Sequence, residues 1–151
     1  MKKTKRICIY VIYDKQNVID DYIEHALQEL RSCSDYILVV CNSKSVWKGV
    51  DVKAYADEVI CRNNSGFDAG GYKDALCHYI GWDKLKKYDK LVLANDCFYG
   101  PFGGVESIFE QMEAEESDFW GLTRSCAGMI AGQTFEEHIQ SYFLVFRKNV
   151  I

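Results

Sequence analysis

Residues 6–41, RICIYVIYDKQNVIDDYIEHALQELRSCSDYILVVC, decide the fold. They open on Arg6 to Tyr13, a nearly continuous run of β-branched and aromatic residues. Such a run belongs to a strand buried on both faces, since a strand with one wet face alternates instead. After Asp14 to Asn17 the period changes. Ile19, Tyr22, Ile23, Ala26, Leu27 and Leu30 recur at intervals of three and four, with Asp20 and Asp21 in the first turn. That spacing predicts an amphipathic helix, and carboxylates at its start suit the helix dipole. Tyr36 to Cys41 is a second buried strand, stopped by Asn42, Ser43, Lys44 and Ser45. Strand, helix, strand makes one βαβ unit, and a helical crossover joins parallel strands.

The pattern continues toward the carboxyl terminus. Val59 to Cys61 is a short strand that enters the loop Arg62 to Gly71, RNNSGFDAGG. Helical spacing returns at Tyr72, Ala75, Leu76, Tyr79 and Ile80 and ends near Gly81. Leu91 to Ala94 form an apolar strand, a helix follows on Val105, Ile108, Phe109 and Met112, and short strands lie in residues 118–123 and 142–146. Residues 46–57 and 124–134 carry no clear period. Alternating strands and helices predict one α/β domain over residues 1–151, Rossmann-like, with a mainly parallel sheet flanked by helices. The chain stops at Asn149, Val150 and Ile151, just after a strand and where another helix is expected. The expectation is a C-terminally truncated piece of a protein that continues past Ile151, or a complete but minimal relative.

Composition narrows the function. The 151 residues are 48% hydrophobic and 26% charged, with a formal net charge of -4. These values describe an ordinary globular domain and exclude disordered, collagenous and mucin-like classes. They argue against nucleic acid as a partner, because such domains concentrate basic charge on one face. The one basic cluster, Lys2, Lys3, Lys5 and Arg6, reads as a solvated tail, or as a weak attraction to an anionic membrane surface that would make the protein peripheral. Seven cysteines, an odd number without C-x-x-C spacing, do not make a disulfide framework. Cys8, Cys41 and Cys61 read as small core residues, which points to a reducing cytoplasm. Cys77 beside His78 lacks a second pair with zinc spacing.

Two segments carry candidate chemistry. In YDKLVLANDCFYGPF, residues 88–102, the apolar strand delivers Asn95 and Asp96 to its carboxyl end. Ligands of open α/β sheets bind beyond the carboxyl ends of strands, so Asp96 is placed to hold a metal ion or a sugar hydroxyl. The competing reading has both residues cap the next turn. Arg62 to Gly71 lies between a strand and a helix, where backbone N–H groups and the helix dipole attract anions. Its spacing matches neither G-x-G-x-x-G nor the P-loop. It is either a loop that meets a diphosphate or ribose, or a glycine-rich turn with Asp68 as helix N-cap. Aromatic residues of the second half, Tyr99 and Trp120 among them, are candidates for sugar stacking, with core packing as the alternative.

The order VICRNNSGFDAGGYKDAL, YDKLVLANDCFYGPF, DFWGLT, HIQSYFLVF resembles the rhamnan synthesis F family of bacterial glycosyltransferases, and more distantly the large inverting group with the glycosyltransferase A fold. The resemblance implies a nucleotide-diphosphate sugar donor, dTDP-L-rhamnose or similar, and a growing polysaccharide, lipopolysaccharide or lipid-linked acceptor at the inner face of a bacterial membrane. It further implies nucleoside contacts from Tyr13, Asp14, Asn42 and Ser43, and diphosphate contacts from Arg62, Asn64 and Gly66. Asn95 and Asp96 stand where the family's D-x-D element lies, with Cys97 in the third place. Asp96 is thereby the metal ligand, for Mg2+ or Mn2+, and Asp68 a second oxygen ligand or a ribose contact. The catalytic base of such enzymes usually lies beyond the strand that resembles SYFLVF, which would place it past Ile151. Within these residues Asp118 and His138 are the candidates, with Glu136 and Glu137 beside them. Trp120 and His138 would place the acceptor, and Asp118 would otherwise meet the donor sugar or fix Trp120. The rival expectation is a noncatalytic nucleotide-binding or partner-docking module.

Overall fold

The computed structural model describes residues 4–151. Lys2 and Lys3 of the basic cluster lie outside the described residues. Arg6 does not belong to a tail: it opens the first strand, its guanidinium donates to Cys33 O at 3.0 Å, pairs with Glu113 and lies 4.6 Å from the centre of the Phe109 ring.

In chain order the strands are β1 (Arg6–Ile12), β2 (Val18–Ile19), β3 (Tyr36–Cys41), β4 (Lys48–Gly49), β5 (Glu58–Cys61), β6 (Lys90–Asn95), β7 (Phe119–Gly121), β8 (Arg124–Ser125), β9 (Gly128–Ile130), β10 (Gln133–Phe135), β11 (His138–Ile139) and β12 (Phe143–Arg147). The helices are α1 (Asp21–Cys33), α2 (Phe67–Asp74), α3 (Gly81–Leu85) and α4 (Val105–Glu113), and a wide π-type turn, Ala75–Ile80, joins α2 to α3.

Six strands form the main sheet in the order β5-β3-β1-β6-β12-β7. The β5, β3, β1 and β6 strands are parallel, with Ile7 paired to both Tyr36 and Leu91. The β12 strand runs antiparallel to both β6 and β7, so the sheet is mixed, with a parallel majority. Strand β1 sits at the centre and is buried throughout after Arg6. Its residues alternate between two cores. Cys8, Tyr10 and Ile12 meet Ile23, Leu27 and Leu30 of α1 and Phe109 of α4, whereas Ile7, Ile9 and Val11 meet Tyr72, Ala75, Ile80 and Leu85. Two covered faces are why the strand reads as an unbroken apolar run.

Several expectations from the sequence change. The helix after β5 starts at Phe67 rather than Tyr72, so Gly70 and Gly71 lie inside it and Asp68 is not its cap. Gly71 is there for close packing, since a Cβ would meet both Val11 methyls at 3.1 Å. The helical segment passes Gly81 and ends at Leu85. Cys61 is exposed rather than a core residue, although its strand neighbour Cys41 is buried. Residues 124–134, which show no period, fold together with 135–139 as two short antiparallel pairs, β8 with β11 and β9 with β10. After β12 comes one short 3₁₀ turn, Lys148–Val150. No helix among the described residues is long and apolar enough to cross a membrane.

Candidate functional site

The carboxyl ends of β1, β3, β5 and β6 lie along one edge of the sheet, as their parallel registers require. A cleft of about 460 Å³ opens there, and Tyr13, Asp14, Asn42, Ser43, Asn63 and Asn64 are among the residues that line it. Lys15 and Lys44 line it too. Sequence reasoning passed over both lysines and Asn63, for which the only signal is a place in a loop that follows a buried strand.

Asn42 and Arg62 form the structural centre of this edge. Asn42 is 1% exposed. Its Nδ2 donates to Phe67 O at 3.2 Å, and its Oδ1 accepts from Arg62 Nη1 at 2.6 Å. Arg62 also donates from Nε to Asp74 Oδ2 and from Nη2 to Ser65 O, each at 2.7 Å. The guanidinium therefore clamps β3, the 62–66 turn and α2 together. Three of its five N–H groups meet protein acceptors, and Arg62 also lines a second hollow with Ser65, Gly66, Gly70 and Lys73. Gly66 takes the left-handed conformation at φ 73, which the turn into α2 requires. Asn64 Oδ1 is buried without a hydrogen-bond partner among the described residues, beside the cleft that Asn64 lines. An acceptor in that position loses its hydration unless a ligand supplies a donor.

Asp96 follows β6 immediately. Its Oδ2 accepts from Tyr13 N at 2.8 Å, which joins it to the end of β1. Asn95 is buried, and its Nδ2 donates to Asp68 Oδ2 at 2.7 Å. Asp14 spends Oδ2 on the backbone N–H groups of Gln16 and Val18, at 2.7 and 3.0 Å, and so shapes the 14–18 turn. Burial pushes the Asp96 carboxyl up to about 6; the Tyr13 N–H opposes this and the Asp68 charge adds to it. Burial also raises Asp68, against the Asn95 hydrogen bond. Two half-buried carboxylates raised in this way have room for compensating positive charge. The donors are all oxygen, the set that suits Mg2+ or Mn2+, which need few protein ligands. No group of three or more metal-ligating side chains occurs among the described residues.

The expected acceptor-side residues scatter. Trp120 is 6% exposed and packs edge-on against Phe109, a core residue rather than part of the cleft wall. Asp118 precedes β7, which runs parallel to β6 because both are antiparallel to β12. Asp118 thus lies at the amino edge of the sheet, opposite Asp96, and it accepts from Asn149 Nδ2 at 2.8 Å. The placement corrects its reading as a catalytic base near the donor. Ile151 follows the same end of β12 and sits with Trp82 and Leu85 around a small hollow at that amino edge, away from the cleft. A base past Ile151 would lie outside the described residues. His138 is on the side of Asp96: β11 follows the carboxyl end of β7, where Gln140 N donates to Thr123 O at 3.0 Å. The imidazole is exposed, with Nδ1 2.8 Å from Glu136 O.

Comparison with known proteins agrees with this architecture. The profile of the family described as rhamnan synthesis protein F matches residues 37–151. The virulence protein VirA of Vibrio anguillarum, in the species and in strain ATCC 68554 / 775, is 28% identical over 142 residues, 94% of this chain and 43% of the relative. The chain thus spans less than half the length of these curated relatives. Among solved structures, that of 4-diphosphocytidyl-2C-methyl-D-erythritol synthase superposes with a TM-score of 0.55 at 17% identity, over 99% of this chain and 77% of that one. At that identity the likeness is one of fold. The family match covers well over half of the sequence, and the chain belongs to the rhamnan synthesis protein F family.

Proposed function

We propose that this member of the rhamnan synthesis protein F family binds a nucleotide-diphosphate sugar in the 460 Å³ cleft and transfers the sugar to a growing cell-surface glycan. The observation that carries the reading is the polar cleft at the carboxyl ends of four parallel strands, with Asp96 at its border through Tyr13. Ligands of open α/β sheets bind in that crevice. Tyr13, Asn42 and Ser43 would flank the nucleoside, with Asn64 beside them in the cleft wall. Lys15 and Lys44 would face the diphosphate. The donor favoured by family membership is dTDP-L-rhamnose, handled at the inner face of a bacterial membrane.

Asp96, with Asp68 beside it, would hold Mg2+ or Mn2+, which would supply positive charge for the diphosphate. In an inverting transfer the acceptor oxygen bonds to the anomeric carbon as the carbon–phosphate oxygen bond breaks. The acceptor proton passes to a base on the opposite face. His138 suits this role, because its Nδ1–H donates to Glu136 O and Nε2 is left free to take a proton.

Calorimetric titration of the chain with dTDP, UDP and GDP, each with and without Mg2+ or Mn2+, tests the reading. Selective binding of one nucleotide that strengthens with metal is expected, and a folded Asp96→Ala variant should lose the metal effect. Failure of all three to bind would overturn it. The distance of Asp118 from the cleft edge favours one alternative, a noncatalytic nucleotide-binding module, which would bind nucleotide without turnover.

A further inference from the structure

We propose that Tyr99 and Phe102 form a platform on which a pyranose ring of the carbohydrate acceptor stacks. The proposal rests on the glycosyl-transfer reading and adds its acceptor subsite. Both rings belong to the loop that follows Asp96, and they are 72% and 83% exposed.

The loop is held in place from one stripe of α1. Tyr22, His25 and Glu29, spaced by three and four, share a helix face beside the buried Ile23, Ala26 and Leu30. Tyr22 stacks on Tyr99 with ring centres 4.3 Å apart. The Tyr22 hydroxyl donates to Asp96 O at 3.2 Å, so a single side chain touches both the platform and the residue at the border of the cleft. His25 Nε2 meets Pro101 O at 2.9 Å, and Glu29 Oε2 accepts from Val105 N at 3.0 Å. The Tyr99 ring is thus supported on one face and open on the other. Phe102 lies back over Gly100, whose added Cβ would be 3.6 Å from the Phe102 ring.

Ring size and position select the occupant. A large aromatic side chain buries about 150–250 Å² when covered, so two of them supply well under the roughly 800 Å² per partner of a stable protein interface. The platform suits a ligand of ring size. A pyranose presents one face of C–H bonds, which an aromatic quadrupole attracts, and its hydroxyls stay in water at the rim. Fixed support keeps the ordering cost of binding low.

Saturation-transfer NMR tests the platform, with methyl α-L-rhamnopyranoside, methyl α-D-glucopyranoside and methyl α-D-galactopyranoside as probes. Wild type is compared with Tyr99→Ala, Tyr99→Phe and Phe102→Ala, and nucleotide binding is measured in parallel on each. The expected result is transfer to the C–H protons of at least one glycoside. That signal falls by about tenfold in Tyr99→Ala and Phe102→Ala and is kept in Tyr99→Phe. The exposure of both residues leaves the fold and the nucleotide affinity unchanged. Transfer that survives in both alanine variants, or no transfer from any glycoside, overturns the platform. If wild type binds nucleotide while either of those results holds, the glycosyl-transfer reading stands without the platform. Saturation transfer to a glycoside that depends on Tyr99, in a chain that binds no nucleotide, would keep the platform and remove the transferase reading.

Discussion

Asn95 Nδ2 donates to Asp68 Oδ2 at 2.7 Å and so ties the end of β6 to the first turn of α2. Its other atom is also occupied, since Asn95 Oδ1 accepts from Cys97 N at 3.1 Å. The side chain is 2% exposed, and no water replaces those bonds once the amide is gone. Asn95→Ala should therefore cost about 2 kcal/mol, the usual penalty for buried groups left unpaired. It should also raise the Asp68 pKa further, because the Asn95 bond is what opposes the effect of burial there. Urea denaturation gives the first quantity and carbon-detected titration of the Asp68 carboxyl the second.

The Asp96 carboxyl makes stability fall as pH rises. Its ordinary value is 3.8 and burial pushes it up to about 6 in the folded chain. Between those two values the native state holds a proton that the unfolded state has released, so folding loses free energy with increasing pH and levels off above the upper value. Asp96→Asn removes that titration, and its carbonyl can still accept from Tyr13 N. The variant should be more stable than wild type above pH 6, by about 3 kcal/mol, and no more stable below pH 4. Asp68, whose pKa is raised, leaves a slope of the same sign in the variant, whereas Asp57 and Glu113, whose pKa values are lowered, contribute a slope of the opposite sign at acid pH. Mg2+ binding should strengthen from pH 5 to pH 7.5, since metal and proton compete for the carboxylate. Urea midpoints at several pH values and Mg2+ titration check both statements.

How much of this was legible in the sequence follows from what each residue does. The β1 and β3 strands were plain, because burial on both faces writes an unbroken apolar run. The reversal of β12 was not. Strand period is the same in either direction, and direction is set by residues 124–139, whose two- and three-residue strands are mostly exposed and carry no pattern. Asp96 was a candidate because it follows an apolar strand, and Asn42 through the family resemblance; both follow strands at the carboxyl edge. Asp118 was misplaced because its edge depends on the direction of β7, fixed only by pairing with β12. Trp120 was a candidate for sugar stacking with core packing as the alternative, and its burial against Phe109 places it in the core.

The two glycines inside α2 separate propensity from sterics. Alanine for glycine within a helix ordinarily gains about 1 kcal/mol. At Gly70 a Cβ would sit 2.1 Å from Ser65 O, and that carbonyl is the acceptor of Arg62 Nη2. Gly70→Ala must displace the turn and the arginine bond together, so a net loss of about 2 kcal/mol is expected, along with weaker nucleotide binding. At Gly71 the obstacles are the two Val11 methyls at 3.1 Å, which can give slightly. Gly71→Ala should cost less and leave nucleotide affinity unchanged. Thermal denaturation and calorimetry on the two variants would settle the order.

Asp118 and His138 are distinguished by the edge of the sheet each occupies. Asp118 is exposed at the amino edge with Asn149 as its partner, so Asp118→Asn should change stability by no more than about 0.5 kcal/mol and leave sugar transfer at the wild-type rate. His138 lies toward the carboxyl edge with Nδ1 committed to Glu136 O. His138→Ala should lower the transfer rate by about 10²–10⁴, the usual worth of a general base, while the nucleotide Kd stays the same. A rate that falls with Kd unchanged separates loss of proton transfer from loss of binding. Single-turnover rates and nucleotide titrations of both variants give the answer. A slow Asp118→Asn beside a normal His138→Ala would move the base to the far edge of the sheet, which the strand directions oppose.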